Sequence, residues 1–118
     1  MAKNPELRFR TKQFALRIVR MYGVLPKSTE AQVLGRQVLR SGTSVAANYR
    51  EACRARSDAE LISKLGIVEQ ELDETSLWLE LLVESNIVTE SRMKDLLQEC
   101  EELLKMTVSA IRKTKARK

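Results

Sequence analysis

The sequence contains no histidine. Without imidazole the chain lacks the commonest general base and the Glu-x-x-His ligand motif of di-iron bundles. It has two cysteines, Cys53 and Cys100. Two isolated thiols and no histidine are too few for a zinc site, and both read as reduced thiols of a cytoplasmic protein. Glycine and proline are scarce, at four and two residues, and no glycine-rich phosphate loop or nucleophile elbow occurs. Five aromatics are present, and no aromatic–basic interleaving of the kind that stacks bases appears, so sequence specificity toward a nucleic acid is expected to be poor. No apolar run approaches the roughly 20 residues that cross a bilayer. The opening MAKNPELRFR lacks the apolar core of an export signal. Paired acids at i,i+4, such as Glu69 with Asp73 or Glu80 with Glu84, have the spacing of surface charge. The expectation is a non-enzyme with no catalytic residue, no metal, no cofactor and no membrane partner.

Leu, Ala, Glu, Lys and Arg abound, which favours helix in a chain long enough for one core. Charge is unevenly spread. Residues 1–56 carry 12 basic and 3 acidic side chains, a net +9, whereas residues 57–111 carry 4 and 13, a net −9. Residues 112–118 add five positive charges and no negative ones. This polarity predicts one surface for polyanions, another that avoids them, and complementary contacts between copies.

Four amphipathic segments follow in order. Asn4-Pro5-Glu6 has the residues of a helix start, and Leu7, Thr11, Phe14, Ile18, Met21 and Leu25 recur at steps of four and three. Arg10, Arg17 and Arg20 flank that seam on one side. Gly23 and Leu25-Pro26 end the segment. The second begins near Ser28 or Thr29, with Gln32 as capping-box partner of Thr29, and ends near Ala55 or Arg56. Ser57-Asp58-Ala59-Glu60 is a capping box opening a third helix. Its seam is Leu61, Leu65, Val68, Leu72, Thr75, Leu79 and Leu82, with Trp78 as a core or interface anchor and Gly66 as a point of close helix approach. The fourth starts at Thr89 and places Met93, Leu97, Cys100, Leu104, Thr107 and Ile111 on its seam, with Leu96, Leu103 and Ala110 alongside. Residues 112–118, RKTKARK, read as a frayed basic tail beyond a bundle of residues 1–111. The fold class expected is all-α, an antiparallel up-down-up-down four-helix bundle.

The second segment carries the strongest functional pattern. Leu34, Val38, Ser41, Val45, Asn48 and Ala52 form its seam, and about 100° of turn per residue sets Arg36, Arg40, Arg50 and Arg54 on the opposite face. A solvated helix face mixes signs, whereas this row is of one sign with Thr43 and Ala47 between its pairs. Ser41 and Asn48 read as a satisfied buried polar pair that sets register, since neither has a base nearby in the pattern. Gly42 marks a kink or a close helix approach.

Leu39 to Ala52 (LRSGTSVAANYREA), Ile62-Ser63-Lys64 with Gly66-Ile67, and Leu77-Trp78-Leu79-Glu80-Leu81-Leu82 resemble the bacterial four-helix bundle family of 23S rRNA intervening-sequence proteins. The family motif matches Arg40, Ser41, Ser44, Asn48 and Glu51, while Arg50 stands where many relatives have an acid. This family is similar to the accessory proteins of diversity-generating retroelements. The resemblance implies a homopentamer and association with RNA, and it does not imply an enzymatic activity.

The function expected is therefore nucleic-acid binding, RNA before DNA, through Arg10, Arg17, Arg20, Arg36, Arg40, Arg50, Arg54, Arg112, Lys113 and Lys115. Neutralising about 6 to 10 phosphates makes such binding steeply salt-dependent. The alternative is a scaffold that docks a protein partner of the reverse-transcriptase type, with no direct RNA role.

Overall fold

The computed structural model describes residues 5–117, so the proposed cap at Asn4 lies outside the described residues. They form α1 (Pro5–Gly23), α2 (Thr29–Cys53), α3 (Asp58–Glu84) and α4 (Glu90–Ala116), with no strand among the described residues. Short connections force successive helices antiparallel. α1 packs on α2 and α4, and α3 packs on α2 and α4, so α1/α3 and α2/α4 are the diagonals. The result is the expected four-helix bundle, a rod of 51 × 20 × 19 Å.

Caps define the ends. The Ser28 hydroxyl accepts from the Ala31 amide at 3.3 Å, so Ser28 caps α2. Gln32 is not a capping-box partner, contrary to expectation. Its Nε2 donates to the Pro26 carbonyl at 2.8 Å and its Oε1 accepts from the Tyr22 hydroxyl at 3.4 Å, tying down the α1–α2 loop. At α3 the Ser57 hydroxyl accepts from the Glu60 amide at 3.1 Å. Glu60 Oε1 in turn accepts from the Arg56 amide at 2.6 Å, one residue before the cap. α3 ends with Asn86 in the left-handed region at φ 64°. The amides of Ile87 and Asn86 donate to the carbonyls of Leu82 and Val83, the two bonds of a Schellman cap. Gly23 ends α1 without a left-handed glycine.

The core is read position by position. On α3 all seven expected seam residues are buried. On α1 Leu7, Thr11, Phe14 and Ile18 are buried and Met21 is half-buried, while Leu25 is buried just beyond the helix end. On α2 Val38, Ser41, Val45 and Ala52 are buried as expected, but the seam extends to one side of the expected line. Leu34 and Asn48 sit half-buried at its edge, while Gly35, Gly42 and Tyr49 are buried, a heptad apart. On α4 Leu96 and Leu103 take the deep positions, and Leu97, Leu104 and Ile111 lie half-buried beside them. Helix α4 also continues through the segment read as a frayed tail. Thr114, a heptad after Thr107, is buried and donates to the Ala110 carbonyl at 2.8 Å. Arg117 Nη2 donates to Asp58 Oδ1 at 2.8 Å, pinning this end to the start of α3. Trp78 is half-buried against the core, with its indole Nε1 enclosed.

The two central glycines of this chain behave oppositely. A Cβ at Gly42 would sit 2.9 Å from Ile18 Cγ1 and 3.1 Å from its Cγ2, so bare backbone is what lets α1 close on α2. A Cβ at Gly66 meets nothing within 4 Å, so Gly66 serves no close approach within this chain. Gly42→Ala therefore destabilises by about 1–3 kcal/mol through overpacking, despite better helix propensity. Gly66→Ala, free of any clash, stabilises the isolated chain by up to about 1 kcal/mol. Urea midpoints of the two variants have opposite signs relative to the parent.

Candidate nucleic-acid interface

On α2 the outward residues Arg36, Arg50 and Arg54 are exposed. Among the described residues no carboxylate lies within ion-pair distance of any of them. Arg40, in the middle of the row, is engaged instead. Its Nη2 donates to Glu74 Oε1 at 2.7 Å and its Nη1 to Glu71 Oε1 at 3.3 Å. The Glu74 bond, more than any other cause, raises the affinity of this guanidinium for its proton. Arg40 thus clips α2 to α3, half exposed, and Lys64 to Glu51 at 2.8 Å is a second clip between the same helices.

Arg10 is similarly occupied. It donates from Nε and Nη2 to the two oxygens of Glu99 at 3.0 and 2.7 Å, and from Nη2 to Glu102 at 2.8 Å. These hydrogen bonds, Glu99 first, push its pKa further above the ordinary range. The forked contact fastens α1 to α4. Arg17 and Arg20 follow on the same flank of α1, so they too face α4 rather than the arginine row of α2. With Arg92 they line a cleft of about 470 Å³ between the end of α1 and the start of α4. The sequence pattern grouped all these arginines on one surface, but the structure divides them between two.

The α2-facing flank of α1 is the one with Ile18 and Tyr22, whose side chains approach Gly42 and Gly35. Helix periodicity puts Arg8 and Lys12, both exposed, on that flank. They were passed over in the sequence because only the hand of the bundle decides which flank of α1 meets α2. Antiparallel packing adds a second concentration of charge. The C-terminal turns of α2 and α4 and the N-terminal turns of α1 share one end of the rod. Arg8, Arg50, Arg54, Arg112, Lys113 and Lys115 all belong to that end, and all are exposed. Cations there also complement the two helix C-termini.

Ser41 and Asn48 are not a pair. Ser41 is fully buried, with its hydroxyl 2.7 Å from Thr75 Oγ1 of α3. Thr75 Oγ1 also lies 2.7 Å from the Glu71 carbonyl oxygen. Thr75 has one proton, so both contacts are satisfied only when Ser41 donates one of them. Asn48 is half-buried and bonds within its own helix, donating to the carbonyl and hydroxyl of Ser44 at 2.9 and 2.8 Å.

Family and structural similarity agree on kinship. The 23S rRNA-intervening sequence protein model matches residues 5–109. The chain belongs to the 23S rRNA-intervening sequence protein family. A crystal structure of a protein of unknown function from the S23 ribosomal protein family of Bacteroides thetaiotaomicron is 38% identical to it. That match covers 89% of this chain and 97% of the other, with a TM-score of 0.84. No curated protein matches. In this member of the 23S rRNA-intervening sequence protein family, no helix among the described residues is long and apolar enough to cross a membrane. No cluster of three metal-ligating side chains occurs among them either.

The two thiols of this family member differ. Cys100 is buried and donates to the Leu72 carbonyl at 3.3 Å, and burial, aided by nearby carboxylates, pushes its pKa up to about 12. Cys53 is half-buried. The unfolded thiol ionises near 9.0, so the unfolded state loses a proton that the folded state keeps. The contribution of Cys100 to stability is whole below pH 9.0 and is lost as pH rises toward about 12. Cys100→Ala consequently flattens the alkaline decline of the urea midpoint above pH 9, a comparison with the parent that cancels lysine titration.

Proposed function

We propose that this protein is a non-enzymatic, homo-oligomeric binder of nucleic acid, RNA in preference to DNA, acting through the arginines of α2 and the basic end of the bundle. The observation that carries the reading is that Arg36, Arg50, Arg54, Arg112, Lys113 and Lys115 are exposed and lack internal carboxylate partners among the described residues. The family description, which refers to a segment intervening in 23S rRNA, supports RNA over DNA. Guanidinium and ammonium groups of this kind bind phosphate by releasing counterions, which favours charge density over sequence. Phe9, 62% exposed beside Arg8, is a lone ring and not a stacking platform, so base identity contributes little. A homopentamer, the assembly implied by the family resemblance, multiplies such weak contacts. Arg10 and Arg40 take no part, because their carboxylate partners already hold them.

The test is a gel shift with an RNA of about 30 nucleotides between about 50 and 200 mM salt, where affinity falls by orders of magnitude if several phosphates are neutralised. Replacing Arg36, Arg50 and Arg54 together by Glu abolishes the shift while far-ultraviolet circular dichroism stays unchanged. Salt-independent binding, or undiminished affinity in the triple variant, overturns the reading.

A further inference from the structure

The cleft between α1 and α4 does not suit a phosphate backbone. Its rim carries Arg17, Arg20 and Arg92, none with a carboxylate in ion-pair range among the described residues. Its floor is aliphatic, built from Met21, Leu25, Val88, Met93 and Leu96, and Val24 at the rim is 69% exposed. The matching ligand presents carboxylates beside an aliphatic side chain. No aromatic ring or side-chain hydrogen-bond acceptor lines the cleft to orient a small molecule.

This chain displays such a surface on α3. Asp73, Leu77 and Glu80 lie on one outward stripe by their i,i+4 and i,i+3 spacing, around a shallow depression also bounded by Gln70 and Ser76. Leu77 is 47% exposed. Among the described residues no cation is within ion-pair distance of Asp73 or Glu80, whereas the neighbouring Glu74 is held by Arg40. The chain cannot satisfy the cleft with its own stripe, because α1 and α3 are diagonal and make no contact.

We infer that a second copy of this chain seats its Asp73–Leu77–Glu80 stripe in the cleft of Arg17, Arg20 and Arg92. The inference rests on the homo-oligomeric part of the function proposed above and gives it residues. Level supports it as well as charge. α1 and α3 run in the same direction and end at the same end of the rod. At 1.5 Å per residue, Arg17 lies about 9 Å before the end of α1 and Leu77 about 10 Å before the end of α3. The two surfaces are therefore at one height on different flanks. Rotation about an axis parallel to the rod carries one onto the other. A contact between two different surfaces of identical subunits propagates head to tail, and with both surfaces at one height it closes into a ring where the rotation divides the full turn evenly. Docking also covers Leu77 and Val24.

The test is charge exchange read by light scattering after size exclusion. The variants are Arg17→Glu with Arg92→Glu, Asp73→Arg with Glu80→Arg, and all four together, each checked for folding by circular dichroism. The parent is an oligomer; each double variant weakens association by at least about tenfold through like-charge apposition; the fourfold variant regains the parental mass. A monomeric parent overturns both this contact and the homo-oligomer reading. An oligomer of parental mass in both double variants overturns this contact alone, as does failure of the fourfold variant to reassociate while remaining folded.

Discussion

Ile18 occupies the space that a side chain at position 42 would need. That one exclusion governs how α1 lies on the bundle. With Gly35 a heptad earlier facing Leu25 and Tyr22, it gives α2 a bare track on which α1 beds closely. α1 is correspondingly drawn away from α4, its other neighbour, and this pair packs least of the four adjacent pairs. What joins them instead is polar: Arg10 in the fork of Glu99, with Glu102 beside it. Beyond that fastening the two helices part, and the cleft of Arg17, Arg20 and Arg92 opens.

The same asymmetry sorts the charges. Arg10 and Arg40 look like their neighbours in the sequence, yet each is absorbed into the joints between helices. The cations left over fall into two sets with different surroundings. One set lies on bare helix surface and at the rod's basic end, with nothing aliphatic needing cover. The other rims an oily hollow. The first set suits the polyanion of the proposed function and the second the carboxylate-bearing surface of the inferred contact, so the unpaired cations divide by surroundings and not by place in the sequence.

Much of the fold was legible from periodicity alone. α3 was read residue for residue because Leu65 and Leu72 stand between polar or small neighbours and fix the phase of its seam, which Leu61, Val68, Thr75, Leu79 and Leu82 then follow. α4 offered adjacent leucines, Leu96-Leu97 and Leu103-Leu104, and periodicity cannot rank two neighbours that are both apolar. On α2 Val38, Ser41, Val45 and Ala52 were placed correctly, but the seam was centred through Leu34 and Asn48 and missed the buried line of Gly35, Gly42 and Tyr49 one step away. Glycine carries no hydrophobic signal, so the stripe that faces α1 was hidden by the residue type that made it possible. The hydroxyl of Thr75 was read as part of a seam but not as the partner of Ser41, a relation between helices that no single pattern contains. The candidate site was harder still. Which flank of α1 meets α2 depends on the hand of the bundle, and both hands satisfy the same seams. Arg8 and Lys12 therefore went unnoticed, while Arg17 and Arg20 were assigned to the wrong company.

The rod is 51 Å long but only 20 Å wide, and its densest positive charge sits on a tip. An object polarised along its axis turns in the field of a charged polymer and arrives tip first. At the per-strand spacing of about 3.4 Å of a B-form duplex, a tip of that width faces about six phosphates. Under the proposed function each subunit would occupy a short, fixed length of polymer, and ligand length would become a ruler for how many subunits stand side by side.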